Sequence, residues 1–199
     1  MAPSKHVVFD VVGTCVSYQA FFDGVEAQIG PALLAASIKP QLFAYAWMEA
    51  AELEYTFLSI STRYQPFSAV FHAIFYRVLW MSGIQKPREF ATDAQRDAML
   101  QTYSELEARE GLKECFELLR GAGFTVWCFT SGDVKRVKGY FERSGIEMPL
   151  ENFASCDVEG VAKPDPKAYE SIYKKFEVED VKWFAAAHMW DVSAANKVG

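Results

Sequence analysis

The sequence predicts an α/β fold, a parallel-sheet core with a helical cap inserted after its first strand. Three observations lead there. A short apolar run from Lys5 to Asp10 ends in a turn at Gly13. From Tyr18 to about Leu106 apolar residues recur at spacings of three and four, the helical period. After Leu106, short apolar runs alternate with amphipathic stretches, the signature of parallel strands covered by helices on both faces.

The strand Lys5 to Asp10 comes first, and the helical period then runs through Phe21, Val25 and Ile29. It continues through Leu42, Tyr45, Trp47 and Leu53, and again through Val70, Ile74, Val78 and Leu79. Gly30-Pro31, Pro40, Pro66, Gly83 and Pro87 mark helix breaks, and Thr92 with Gln95 reads as a capping box opening the next helix. In the second half we expect a helix at Leu112 to Leu119, a strand at Phe124 to Phe129 and a helix at Val134 to Ser144. A strand near Phe153 to Cys156, a helix near Pro166 to Phe176 and a strand at Trp183 to Ala187 follow. The expected division is a core of residues 1–16 and 107–199 with a cap of residues 17–106.

Length and composition agree with one such unit: 199 residues, 51% hydrophobic and 23% charged, with a net charge of -6. The Lys and Arg residues are scattered, which argues against nucleic acid as a partner. No stretch approaches the roughly 20 uninterrupted apolar residues that span a bilayer, and the chain enters its first strand without a signal-peptide pattern. The expectation is a soluble cytoplasmic protein that does not engage a membrane. Cys15, Cys115, Cys128 and Cys156 lack metal-ligand spacing and read as reduced, mostly buried thiols.

In an open parallel sheet ligands bind beyond the carboxyl ends of the strands. Asp10 ends the first strand, Thr130 and Ser131 the second, while Lys163 follows the third and Asp191 the fourth. All should meet at one edge. With these residues placed, FDVVGT, FTSGD, the lysine of VAKPDPKAY, and HMWD resemble the four ordered motifs of the haloacid dehalogenase superfamily, over essentially the whole chain. The resemblance implies a Rossmann-like core. KPDPKAY with WD, and LEYT in the cap, are most similar to the L-2-haloacid dehalogenase branch.

The resemblance implies that Asp10 attacks a substrate carbon, displaces halide and leaves an ester that water hydrolyses. Thr14 would hold its carboxylate, and Lys163 would pair with it and stabilise charge in the transition state. Thr130 with Ser131 would orient the attacked group or a carboxylate, the alternative being that Ser131 or Asp133 caps the next helix. Tyr169 is either an active-site tyrosine or a core aromatic. Asp191 would position the hydrolytic water. His188 would bind the departing halide or activate water, or else be a satisfied polar group. Val11 and Trp190, beside the two aspartates, join the substrate-binding set. The resemblance also implies a further helix and strand beyond Asp191.

Val12 stands where phosphatases of the superfamily place a general acid. An alkoxide leaving group needs that proton and a halide does not, so valine favours carbon-halogen cleavage of a small haloacid without a cofactor. The alternatives are a phosphatase holding Mg2+ with Asp10 and Asp191, and a non-catalytic binding protein. Two departures bear on the substrate. Glu49 falls where the family's anion-binding arginine belongs, so Arg63 or another cation replaces it, the alignment slips, or the substrate is not a simple haloacid. Ala186 stands where dehalogenases tend to have serine. The aromatic residues Phe21, Phe22, Phe43, Tyr45, Trp47, Phe57, Phe71, Phe75 and Trp80 should mostly form the cap's own core. A few would line a small-molecule pocket, and exposed members would serve a homodimer, as cap helices do in the family.

Overall fold

A computed structural model describes residues 3–199. The chain divides into two compact units, one running to Ser17 and resuming at Glu107, the other comprising Tyr18–Leu106. The ends of the first unit are laced together, with the Ser17 N–H donating to the Glu107 carbonyl and the Arg109 N–H to that of Cys15, each at 2.9 Å.

This first unit is the expected α/β core. Its four strands, β1 (Lys5–Asp10), β2 (Phe124–Thr130), β3 (Phe153–Ser155) and β4 (Val181–Ala185), lie in the order β3-β2-β1-β4, all parallel. Asp10 stands opposite Phe129 in the register, so Thr130 is one residue beyond the tip of β1. Successive side chains alternate between faces. Val8 and Phe129 pack with Tyr169, Ile172 and Phe176 on one side. Phe9 meets Phe116 at 5.1 Å on the other, and Phe116 stacks on Phe141. Because β1 and β2 are covered on both faces, they read as continuous apolar runs.

The connecting helices follow the sheet. In the core unit α7 (Leu112–Gly121) precedes β2, α8 (Val134–Arg143) joins β2 to β3, and α11 (Met189–Val198) follows β4. The short α9 (Cys156–Glu159) and α10 (Pro166–Tyr173) lead from β3 to β4. The last strand is Val181–Ala185, not Trp183 to Ala187, and Ala186 and Ala187 belong to the loop beyond it. Alanines in a strand-like run carry no signal of where the ladder stops.

The second unit is all helical: α1 (Gln19–Ala35), α2 (Pro40–Ile60), α3 (Phe67–Ala73), α4 (Phe75–Met81), α5 (Pro87–Phe90) and α6 (Asp93–Tyr103). Phe21, Phe43, Trp47, Phe71 and Phe75 are its buried core, with the Trp47 indole N–H donating to the Phe71 carbonyl at 2.9 Å. Three expectations need correction. Gly30-Pro31 does not break α1, which continues to Ala35. Pro31 lacks the N–H that would reach the Ala27 carbonyl one turn back, and beside it the side-chain amide of Gln95 donates to the Gln28 carbonyl at 2.9 Å. The run from Val70 to Leu79 is two helices that meet at Ile74. Finally, α2 buries Phe43, Ala44, Trp47, Met48, Ala51 and Tyr55, while Leu42, Tyr45, Leu53 and Phe57 are exposed. Both flanks of α2 are apolar, so periodicity alone does not choose between them. Thr92 and Gln95 form the expected capping box, each side chain accepting the other's backbone N–H. Glu49 is half-buried on α2, and Arg63 is exposed just after it. No helix among the described residues is long and apolar enough to cross a membrane.

Candidate active site

The end of β1 sets the first group. Asp10 is followed by a tight turn in which the Val11 carbonyl accepts the N–H groups of Cys15 and Val16. Gly13 sits at φ 88°, which a side chain would strain, and its carbonyl accepts from the Arg109 guanidinium at 2.9 Å. This turn brings Thr14 back over Asp10, where its hydroxyl donates to Oδ2 at 2.7 Å. The same Thr14 oxygen accepts the Ala187 N–H at 2.9 Å, so one hydroxyl ties the Asp10 turn to the loop after β4.

Lys163 lies opposite. Its Nζ donates to Asp10 Oδ1 at 2.9 Å, to Asp191 Oδ2 at 2.8 Å and to the Phe129 carbonyl at 3.0 Å. An ammonium has three protons, and these three acceptors engage them all. The Lys163 side chain is 1% exposed. Burial opposes its charge, but the carboxylates of Asp10 and Asp191 outweigh burial and hold it above the ordinary lysine value.

Asp191 occupies the first turn of α11 and is fully buried. Its second oxygen accepts the Tyr169 hydroxyl at 2.5 Å. Burial raises its pKa above the ordinary carboxylate value, with Lys163 pulling the other way. Tyr169 combines both expected roles, its ring packing on Phe129 and Phe184 while its hydroxyl holds Asp191. Burial and then Asp191 push that phenol far upward, so it stays a donor.

Thr130 is buried, and its oxygen accepts the Gly132 N–H at 3.0 Å. Ser155, at the end of β3, donates to the Gly132 carbonyl at 2.7 Å. The cap of α8 is Asp133, whose carboxylate accepts the Arg136 N–H at 2.8 Å, so Ser131 is not the capping residue. Ser131 and His188 are half-buried, and His188 stacks on Trp190 with ring centroids 5.4 Å apart. Val11 is wholly buried and shapes the turn through its carbonyl. The structure therefore brings Asp10, Thr14, Lys163, Tyr169 and Asp191 into one hydrogen-bonded set. Thr130 lies one residue past that set on β2, and His188 and the exposed Trp190 precede Asp191 in the chain. Sequence reasoning missed the Phe129 carbonyl, the Ala187 N–H and Arg109; the first two are backbone groups, which residue identity does not reveal.

A family model for haloacid dehalogenase-like hydrolases matches residues 4–199. The chain belongs to the haloacid dehalogenase-like hydrolase family. Among curated relatives it is 27% identical over 105 residues to (S)-2-haloacid dehalogenase 4A of Burkholderia cepacia, a match to 52% of this chain and 46% of that protein. It is 25% identical over 105 residues to (S)-2-haloacid dehalogenase 1 of a Pseudomonas species, again covering 52% and 46%. The chain thus spans about half the length of the curated relatives it matches. Among solved structures, a dehalogenase with an intermediate complex superposes with a TM-score of 0.80 at 19% identity, covering all of this chain and 83% of that one. The L-2-haloacid dehalogenase of Xanthobacter autotrophicus with chloropropionic acid covalently bound superposes at 0.77, with 19% identity and coverage of 98% and 75%. At these identities the structural likeness speaks for the fold.

A magnesium ion held by Asp10 and Asp191 does not fit this arrangement. The Lys163 ammonium contacts both carboxylates, the other oxygen of Asp191 accepts from Tyr169, and Val12 adds no third carboxylate. Among the described residues no cluster of three or more His, Cys, Asp or Glu is placed to hold a metal.

Proposed function

We propose that this member of the haloacid dehalogenase-like hydrolase family cleaves the carbon-halogen bond of a small 2-haloalkanoic acid through an ester on Asp10. The observation that carries the reading is the Asp10–Lys163–Asp191 bridge, closed by Thr14 and Tyr169. It holds a carboxylate at the strand tip in a fixed orientation and keeps the balancing charge beside it. That the curated relatives are (S)-2-haloacid dehalogenases supports the same substrate class.

The chemistry follows from the groups present. An oxygen of Asp10 displaces halide at C2, forming a C–O bond while the C–X electron pair leaves with the halide. No proton is needed on that leaving group, which suits Val12. As Asp10 loses its charge on forming the ester, Lys163 remains paired with Asp191, so the ammonium is never left alone. Water then adds at the ester carbonyl of Asp10, one of its protons passes to the departing oxygen that began on Asp10, and the hydroxy acid leaves while the other proton is released as Asp10 returns to a carboxylate. Asp191 and His188 are the groups we assign to that water and to the halide. A homodimer through exposed residues of the helical unit belongs to the same reading.

The test is halide release from 2-chloro- and 2-bromopropionate, with EDTA or with Mg2+, beside hydrolysis of p-nitrophenyl phosphate. We expect halide release unchanged by EDTA and reduced to the no-enzyme level in Asp10→Asn. Phosphate release that requires Mg2+, without halide release, would overturn the reading in favour of a phosphatase. Absence of both would favour a binding protein.

A further inference from the structure

A negatively charged substrate needs a cation that the bridge does not provide. Lys163 gives its protons to Asp10, Asp191 and the Phe129 carbonyl, and two carboxylates face this one ammonium. Glu49 stands where the resemblance places an arginine, so that position carries no cation. Within the α/β unit a different guanidinium stands at the same end of β2. Arg136, in the first turn of α8, lays its Nη2 against the α-carbon of Gly132, where a Cβ would lie only 2.2 Å from it. The same Cβ position is 3.5 Å from the Thr130 hydroxyl oxygen, so cation and hydroxyl flank one backbone carbon. Thr130 accepts from the Gly132 N–H, which leaves its own proton without an acceptor among the described residues.

The loop carrying these groups is held on several sides. Ser155 fixes the Gly132 carbonyl, Asp133 caps the helix, and the Tyr140 hydroxyl accepts from Arg136 Nη1 at 2.9 Å. Tyr140 is fully buried, so it is a rigid post for the guanidinium. A guanidinium has five donors in a planar fork that matches a carboxylate. We propose that Arg136, seated on Gly132 beside Thr130, is the specificity-determining residue that binds the substrate's carboxylate, in place of the arginine whose position Glu49 fills. This rests on the haloacid reading for the identity of the substrate, while the carboxylate site stands on the geometry.

Two variants test it together. Arg136→Met removes the charge. Gly132→Ala keeps the charge but displaces the guanidinium, and its cost falls on the flexible end of a side chain. The readouts are KM and kcat with 2-chloropropionate, and the dissociation constant of propionate by calorimetry, which needs no turnover. Loss of one charged hydrogen-bonding group predicts an increase of about ten- to a hundredfold in KM and in the propionate constant. We expect that increase in both variants, with unchanged circular dichroism and a smaller change in kcat. Unaltered propionate binding in Arg136→Met overturns the proposal, as does a fall in kcat at constant KM, which would mark a merely structural role. If the wild type releases no halide yet binds propionate through Arg136, the haloacid reading fails and this site stands. If it does neither, both fall.

Discussion

At the scale of single residues, the account turns on how Lys163 is enclosed. Replacing one partner of a buried ion pair leaves the other charge uncompensated, at a cost of about 3–5 kcal/mol. Lys163→Met should therefore lower stability by about that amount in urea unfolding and abolish turnover, since it strands Asp10 and Asp191 together. Thr14→Ala should keep the fold while reducing kcat about ten- to a hundredfold, because one hydroxyl serves both Asp10 Oδ2 and the Ala187 N–H. The pH dependence has a definite sign. Lys163 titrates above its ordinary 10.5 in the folded chain, so its contribution is complete below 10.5 and fades as pH rises through the folded value. Melting temperatures from pH 8 upward should show that loss in the wild type and not in Lys163→Met. Asp191, raised above 3.8, should give the activity an acid limb above that value, and Asp191→Asn should remove it. At this scale much was legible. Acidic, hydroxyl and ammonium side chains in fixed order at strand ends are readable, whereas the Phe129 carbonyl and the Ala187 N–H are invisible in residue identity. Arg136 was passed over because the role proposed for it depends on a missing Cβ four residues earlier, a matter of space and not of motif.

At the scale of elements, β1 and β2 were readable because burial on both faces writes an uninterrupted apolar run. The capping box at Thr92 and Gln95 was readable because it is a local contact between residues three apart. The course of α1 through Pro31 was not, since the Gln95 amide that donates to the Gln28 carbonyl beside the proline comes from α6, far along the chain. The buried face of α2 was misread for a related reason, that its choice is made by Phe71 and Phe75 packing on Trp47. Both findings predict outcomes. Gln95→Ala removes half of the capping box and the amide on Gln28, and should destabilise the helical unit by about 1–2 kcal/mol in thermal or denaturant unfolding. Trp47→Ala, which empties the centre of the aromatic cluster, should cost about 3–5 kcal/mol, while Leu53→Ala on the exposed face should change stability little.

At the scale of the whole molecule, the parallel sheet is what makes residues 153 positions apart into partners, because every strand delivers its carboxyl end to the same edge. The parallel α/β core was legible in the alternation of short apolar runs with helical stretches, and the family in the resemblance of the four motifs at the strand ends. The bridge predicts turnover that is indifferent to chelators, since the Lys163 charge occupies the place between Asp10 and Asp191. The most direct test of the covalent route is a single turnover of 2-chloropropionate in water enriched with oxygen-18, with excess enzyme. An ester on Asp10 predicts an unlabelled hydroxy acid and oxygen-18 in the peptide carrying Asp10. Label in the hydroxy acid, with an unlabelled Asp10, would mean that water attacks the substrate carbon directly and would contradict the account.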